Sequence, residues 1–460
     1  MNYHTYFGAN AEPVECCIVG TGGFGRSFIA QSLKTPLVST RIAVDLKAQT
    51  AADVIRSLGI DAARIAICKT GAEAKAAWDK GLFIATGDIA TVLDLPFSVV
   101  VEATGHPEAG ARHSRLAVDA GKHVALVSKE VDSVVGPGLA LRARRNNVIV
   151  TPVDGDQPSL LMALVTWAEI LGLEIISAGK SSEYDFVFDP AAKTLASNGK
   201  VAQAPAFAEW MEPATFDLAT IAANRSQIAS EFPQRAVPDL CEMTLVANAT
   251  GFGVDRPELH VPIARITEVA DFFSTRESAG LLGRSQVLDV FHCLRLPGEV
   301  SFAGGVFVTV RCDDEETWKM LAEKGHVVSR KGDVAMIYNP RHLLGVEAAT
   351  SILEVGLRGV SSGAAEPKPV IDLVAHADAD IAAGTVLTAS GHHHSIVNVS
   401  ARMVPASALS DDKPVPFYLA ANRTLKRAVR AGQPILCGDV ELDETSELLT
   451  LRREQDKAFF

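Results

Sequence analysis

Two short stretches carry residue types whose spacing suits chemistry. The first, GTGGFG, sets Gly20, Gly22 and Gly25 in the pattern GxGxxG, with Thr21, Gly23 and Phe24 between them. Glycine at those places allows a tight turn, close approach of a pyrophosphate to the backbone, and close packing of a helix on a strand. The phosphate would then meet N–H groups at the positive end of a helix dipole. The second stretch, VDGDQPS, puts Asp154, Asp156 and Gln157 directly after the β-branched run NNVIVTP. Acids beside Gly and Pro are turn formers. The same acids, at the end of a buried strand, can hold hydroxyl groups or move protons. Both readings stand at this stage.

The elements around these stretches decide where they sit. CCIVG reads as a strand, the glycine turn follows, and Phe28, Ile29 and Leu33 mark one face of an amphipathic helix. The next strand, TRIAVD, ends in Asp45, where a carboxylate accepts hydrogen bonds from ribose hydroxyls; this favours NAD over NADP, with Arg41 and Lys47 nearby as opposing charges. Alternation then continues through AADVIRSLGI as helix, FSVVVEATG as strand, HSRLAVDAGK as helix, HVALVSKE as strand, GPGLALRARRNN as helix and VIVTPVD as strand. Short apolar strands alternating with helices imply an α/β fold with a Rossmann-type, doubly wound parallel sheet. Such sheets bind ligands at the carboxyl ends of their strands. Thr104 and Gly105 in EATG, the segment SKEVD and the turn VDGDQPS therefore share one rim with the glycine loop.

Composition bounds the possibilities. A chain of 460 residues suggests two or three domains, and 48% hydrophobic residues supply well-filled cores. A formal charge of −12 argues against nucleic-acid and anionic-membrane partners. The seven cysteines are scattered, odd in number and without CxxC spacing, so neither a disulfide framework nor a zinc knuckle is signalled. With no leader pattern at the start and no apolar run of membrane-spanning length, a cytoplasmic protein is expected.

Past the rim the pattern is less regular. PSLLMALVTWAEILG is an amphipathic helix, and MTLVANATGF suits a close-packed helix in which Asn248 is either structural or catalytic. Arg341 and His342 stand at a turn in NPRHLLGVE, where they meet an anionic substrate or cap local backbone. SSGAAEPKP has the small residues and prolines of a linker. Beyond it, HADADIAAGTVLTA and RAVRAGQPILCGDVEL repeat one phrase, an AG turn beside a short β run. In SGHHHS, His392, His393 and His394 alternate faces on a strand and lack an acidic or cysteine partner in sequence, so a solvated turn is expected and no metal site.

GTGGFG, EATGHPEAGARHSRLAVDAGKHVALVSKEVD, VDGDQPS, SAGKSS and NPRHLLGVE together resemble one group. It is the homoserine-dehydrogenase-like oxidoreductases with a C-terminal SAF domain, which include 1-deoxy-D-xylulose 5-phosphate reductoisomerase-like proteins. The resemblance implies a dinucleotide-binding domain over 1–155, a central α+β catalytic and dimerisation domain over 156–362 and a small β-rich SAF domain over 363–460. It implies NAD or NADP as cofactor, a homodimer or higher homo-oligomer, and two lysines at the site: Lys129 at the end of a sheet strand, and Lys180 on the following strand, projecting toward substrate. A lysine in a partly desolvated cleft loses pKa and can polarise a substrate oxygen and shuttle its proton. Asp156 would orient that lysine or accept a substrate hydroxyl, with Asp154, Gln157, Arg341 and His342 as substrate contacts. The expectation is an NAD(P)-dependent oxidoreductase acting on a small hydroxylated carbonyl compound or its alcohol, phosphorylated or not, with or without coupled isomerisation. The competing expectation is a non-catalytic dinucleotide-binding sensor or accessory subunit.

Overall fold

The computed structural model describes all residues except Met1, Ala9, 214–216, His392 and His393. Seven parallel strands form the first sheet: β1 (Val14–Val19), β2 (Val38–Val44), β3 (Ile65–Cys68), β4 (Phe83–Thr86), β5 (Val99–Glu102), β6 (His123–Leu126) and β7 (Val150–Pro152). Their spatial order is β3-β4-β2-β1-β5-β6-β7. The chain leaves β1 first to one side and, after β4, returns to β5 on the other. That reversal opens a crevice at the carboxyl ends of β1 and β5, where such sheets bind ligands. The strands are apolar on both faces, as Cys16, Cys17, Ile18, Val99, Val100 and Val101 show, because helices cover both sides.

One expectation needs correction. HVALVSKE is not all strand: β6 stops at Leu126, and Lys129 opens a helix running to Arg145 through Gly136, Pro137 and Gly138. Local sequence there reads as a breaker. Packing overrides it, since this helix is gripped by the helices Pro107–Asp119, Val237–Thr250 and Glu447–Phe459. Gly138 is required at the last of these contacts, where a Cβ would stand 2.8 Å from Gln455 Cβ.

A mixed sheet follows. Its central strand, β8 (Ile175–Ser181), lies parallel to Val287–Arg295 and antiparallel to Val306–Arg311. The segment between 156 and 362 is not self-contained, because Ala348, Ile352, Leu353 and Val355 pack into the same core as Val14, Phe28 and Val101 of the first sheet. The third unit is built on the antiparallel pair Ile371–Ala377 and Val399–Pro405 within a four-stranded sheet. Asn248 anchors it: its Oδ1 accepts from the backbone N–H groups of Val370 (2.8 Å) and Ile371 (2.9 Å), so the structural reading of Asn248 holds. The helix Glu447–Phe459 then returns to the first unit. Gly138 N–H donates to Gln455 Oε1 at 2.8 Å, and Arg115 pairs with Glu447 at 2.5 Å. No helix among the described residues is long and apolar enough to cross a membrane.

Candidate active site

The glycine loop bridges β1 and the helix Gly23–Ser32. Gly20 has φ of +92°, and a Cβ on it would lie 2.6 Å from the Ala103 carbonyl oxygen. A Cβ on Gly25 would lie 2.0 Å from the Gly20 carbonyl oxygen, so that position holds the helix against the turn. Gly22 and Gly23 are different: nothing stands within 4 Å of a Cβ on either. Gly20 and Gly25 serve the fold, while Gly22 faces open space. That space is a cavity of 480 Å³ lined by Gly20, Thr21, Gly22, Asp45, Thr104 and His106 among others. Asp45 sits on its wall, with Oδ2 accepting from Thr21 N (2.9 Å) and Thr21 Oγ1 (2.5 Å) and Oδ1 from Leu46 N (2.8 Å). Of the expected cofactor residues, Gly20, Thr21, Gly22, Asp45 and Thr104 line this one cavity, while Gly23, Phe24 and Gly25 belong to the helix behind the loop and Gly105 bonds to Ser128.

From that cavity the rim leads to the lysines. Gly105 N–H donates to Ser128 Oγ at 2.9 Å, and Ser128 is the residue before the helix that Lys129 opens. Lys129 Nζ and Lys180 Nζ both bond to Glu242, one to each carboxylate oxygen. Lys180 also pairs with Asp239 at 2.8 Å, and Asp239 accepts from Ser182 Oγ at 2.7 Å. Asp239 and Glu242 are three residues apart on the helix Val237–Thr250 and therefore share a face.

The lysines do not lose pKa, contrary to expectation. Burial opposes the charge on Lys129, and Asp156 and Glu242 outweigh it, holding its pKa well above the ordinary lysine value. Lys180 is likewise desolvated, and Asp239 and Glu242 raise it despite the repulsion from Lys129. Glu242 is penalised by burial, yet the two lysines pull it down to about 2. The side chain of Lys180 is 2% exposed and that of Lys129 23%. Lys129 is the one that can touch a ligand, and Lys180 lies behind Glu242.

The turn VDGDQPS has divided duties. Asp154 is committed to the fold, accepting from Ser159 Oγ (2.5 Å) and Thr350 Oγ1 (2.6 Å). Gly155 has φ of +91°, and a Cβ there would lie 2.0 Å from the Leu344 carbonyl oxygen. Asp156 caps the helix Gln157–Ile170 and carries the charge that acts on Lys129. Gln157 Nε2 donates to the carbonyls of Ser181 (3.0 Å) and Gly305 (3.3 Å). His342 Nδ1 lies 2.9 Å from the Gly304 carbonyl oxygen, so it reaches the same corner as Gln157, while Arg341 is exposed. Sequence reasoning missed Asp239 and Glu242. The available signal was a pair of acids at i and i+3 inside an otherwise apolar helix. His392 and His393 lie outside the described residues.

The comparisons bear on this region. Residues 155–348 match the family model described as the catalytic domain of oxidoreductase DRL. The matched segment contains Asp156, Lys180, Asp239 and Glu242, and it ends before the third unit. Comparison with curated proteins found no match. Among solved structures, levoglucosan dehydrogenase in complex with NADH and L-sorbose is 17% identical with a TM-score of 0.26, over 40% of this chain and 45% of that one. DOX-P reductoisomerase in complex with magnesium is 19% identical with a TM-score of 0.27, over 37% and 46%. An oxidoreductase from Bacillus cereus is 12% identical with a TM-score of 0.36, over 77% and 92%. The chain thus spans less than half the length of the first two.

Proposed function

We propose that the protein is an NAD(P)-dependent oxidoreductase that interconverts a small hydroxylated carbonyl compound and its alcohol. The observation that carries this reading is the carboxylate-bridged pair Lys129–Glu242–Lys180, set one hydrogen bond along the rim from the glycine-loop cavity. The cavity residues fit a dinucleotide: Gly22 leaves open the approach a pyrophosphate needs, and Asp45 faces the ribose end. The cofactor, when bound, takes or gives the hydride. The chain supplies the charge. Lys129, kept cationic by Asp156 and Glu242, donates a hydrogen bond to the substrate oxygen and stabilises the negative charge that develops there. Lys180 and Asp239 fix Glu242 and so fix Lys129. Gln157 and His342 line the corner where the rest of the substrate lies, with Arg341 outside for an anionic group.

The resemblance noted in the sequence supports a reductoisomerase-like or homoserine-dehydrogenase-like activity, a C-terminal SAF domain and a homo-oligomer as the finer form of this proposal. A lysine held positive would equally stabilise the enolate-like charge of an isomerisation. The test is NADH and NADPH titration followed by turnover with a panel of sugar phosphates, aldonates and hydroxy amino acids. Lys129→Met should keep cofactor binding and lower turnover on the order of a hundredfold. Cofactor binding without turnover of any panel member would favour the dinucleotide sensor instead.

A further inference from the structure

The cavity at the glycine loop holds more than the phosphate and ribose contacts. Gly22 gives the pyrophosphate its approach and Asp45 faces the ribose, so the purine on that ribose meets what is left of the same wall: Leu46, Gly87, Ala109 and His113. Leu46 is 95% exposed, and an apolar side chain so placed on a cavity wall suits the face of an aromatic base. Ala109 and His113 are four residues apart on the helix Pro107–Asp119 and share one side of it. Arg112 and Asp88, the neighbours of His113 and Gly87, pair at 3.5 Å and tie that helix to the loop after β4. His106 is occupied as the cap of the same helix, its Nδ1 accepting from Ala109 N–H at 3.3 Å. At this end of the cavity the polar side chain left for a base is His113.

His113 is held from behind. Its Nδ1 lies 3.4 Å from Glu102 Oε1; its side chain is 14% exposed, and that of Glu102 is fully buried. The same carboxylate oxygen accepts from Thr104 Oγ1 at 2.6 Å. Glu102 Oε2 has no hydrogen-bond partner among the described residues. A buried carboxylate oxygen left unpaired costs stability, so Glu102 is no asset to the strand it ends. Its bonded oxygen instead orients Thr104 and His113, both of which line the cavity. Room is kept for this acid: a Cβ on Gly110 would stand 2.9 Å from Oε2. A carboxylate only accepts, so Nδ1 carries the imidazole proton. Nε2, which bonds to no described residue, is then the acceptor left for a ligand.

We propose that His113, oriented by Glu102, reads the 6-amino group of adenine, so that the protein selects an adenine dinucleotide over one carrying a 6-oxo purine. The assignment rests on the dinucleotide reading above and deepens it. The amino group of adenine is a donor and meets the Nε2 lone pair. Hypoxanthine puts a carbonyl oxygen in its place, so acceptor faces acceptor and an attraction becomes a repulsion. Leu46 and Ala109 do not distinguish the two bases, which offer the same flat face. His113 is a specificity-determining residue and Glu102 a positioning residue; neither takes part in hydride transfer.

The test is fluorescence titration of the full chain with NADH and NADPH, each against its deamino form, in which hypoxanthine replaces adenine and the nicotinamide, riboses and phosphates are unchanged. Whichever nucleotide binds should do so about tenfold or more tightly than its deamino form. His113→Phe keeps a ring in the wall and should bring that ratio close to one, mainly by weakening the adenine form. Glu102→Gln, whose amide can donate to Nδ1 and leave the proton on Nε2, should lower the ratio as well; a merely structural Glu102 would change stability and leave the ratio alone. Equal binding of the two forms by wild type, or tighter binding of the deamino form, overturns the proposal without recourse to any variant. A ratio that survives in folded His113→Phe overturns it too. Failure of both NADH and NADPH to bind is a different result, which removes the dinucleotide reading and the assignment with it, whereas binding with a ratio of one removes the assignment alone.

Discussion

Replacing Glu242 with glutamine keeps the shape of the bridge between Lys129 and Lys180 and removes its charge. The two lysines lower the Glu242 pKa from 4.5 to about 2 against the cost of burial. At about 1.4 kcal/mol per pH unit, this corresponds to roughly 3 kcal/mol of stability at neutral pH. The figure agrees with the roughly 3–5 kcal/mol lost when one partner of a buried ion pair is removed. The sign with pH follows from the direction of the shift. A carboxyl whose folded pKa lies below its unfolded one contributes fully above the unfolded value, so the gap between wild type and Glu242→Gln should be full above 4.5 and close as pH falls toward 2. Urea unfolding across that range measures it. A Glu242→Gln variant within about 1 kcal/mol of wild type at pH 7, the scale of an exposed ion pair, would refute the bridge as the centre of the site.

The glycine loop separates fold from function. Gly25→Ala should destabilise the protein by roughly 1–3 kcal/mol, since its Cβ would press on the Gly20 carbonyl. Gly22→Val should leave urea unfolding nearly unchanged and abolish NADH titration, because only a ligand occupies the space it fills. Asp45→Ser should improve NADPH affinity relative to NADH, as measured by competitive titration; a wild-type protein that already prefers NADPH strongly would refute the role given to Asp45. Asn248→Ala should cost about 1–3 kcal/mol by leaving two backbone N–H groups unpaired, with cofactor binding unchanged.

Much of this was readable in the chain. The glycine spacing, the apolar strands and their alternation with helices give the first sheet, since each is a local pattern with a period of its own. Asp156, Gln157 and Lys129 fell on the rim because strand order alone brings strand ends together. Glu242 and Asp239 were hidden for the opposite reason. Asp239 follows Pro238 in the first turn of a helix, where acids ordinarily answer the helix dipole, and nothing local shows that two lysines approach from other segments. The helix Lys129–Arg145 was shortened in the reading because Gly-Pro-Gly breaks helices in isolation, while three packed neighbours decide it here. The direction of the lysine pKa values was likewise a property of contacts, since burial alone would have lowered them.

The return of the helix Glu447–Phe459 onto the first unit has a consequence for how the protein is made. A ribosome releases the dinucleotide-binding sheet long before the residues that clasp its helices Pro107–Asp119 and Lys129–Arg145. Until then the faces that receive Glu447 and Gln455 remain uncovered, and Arg452 has not yet closed its buried pairs with Asp372 and Asp456. The latch is therefore made after the sheet it closes. A nascent chain can assemble its glycine loop early, yet the helix that carries Lys129 is gripped on its last side only when the latch arrives.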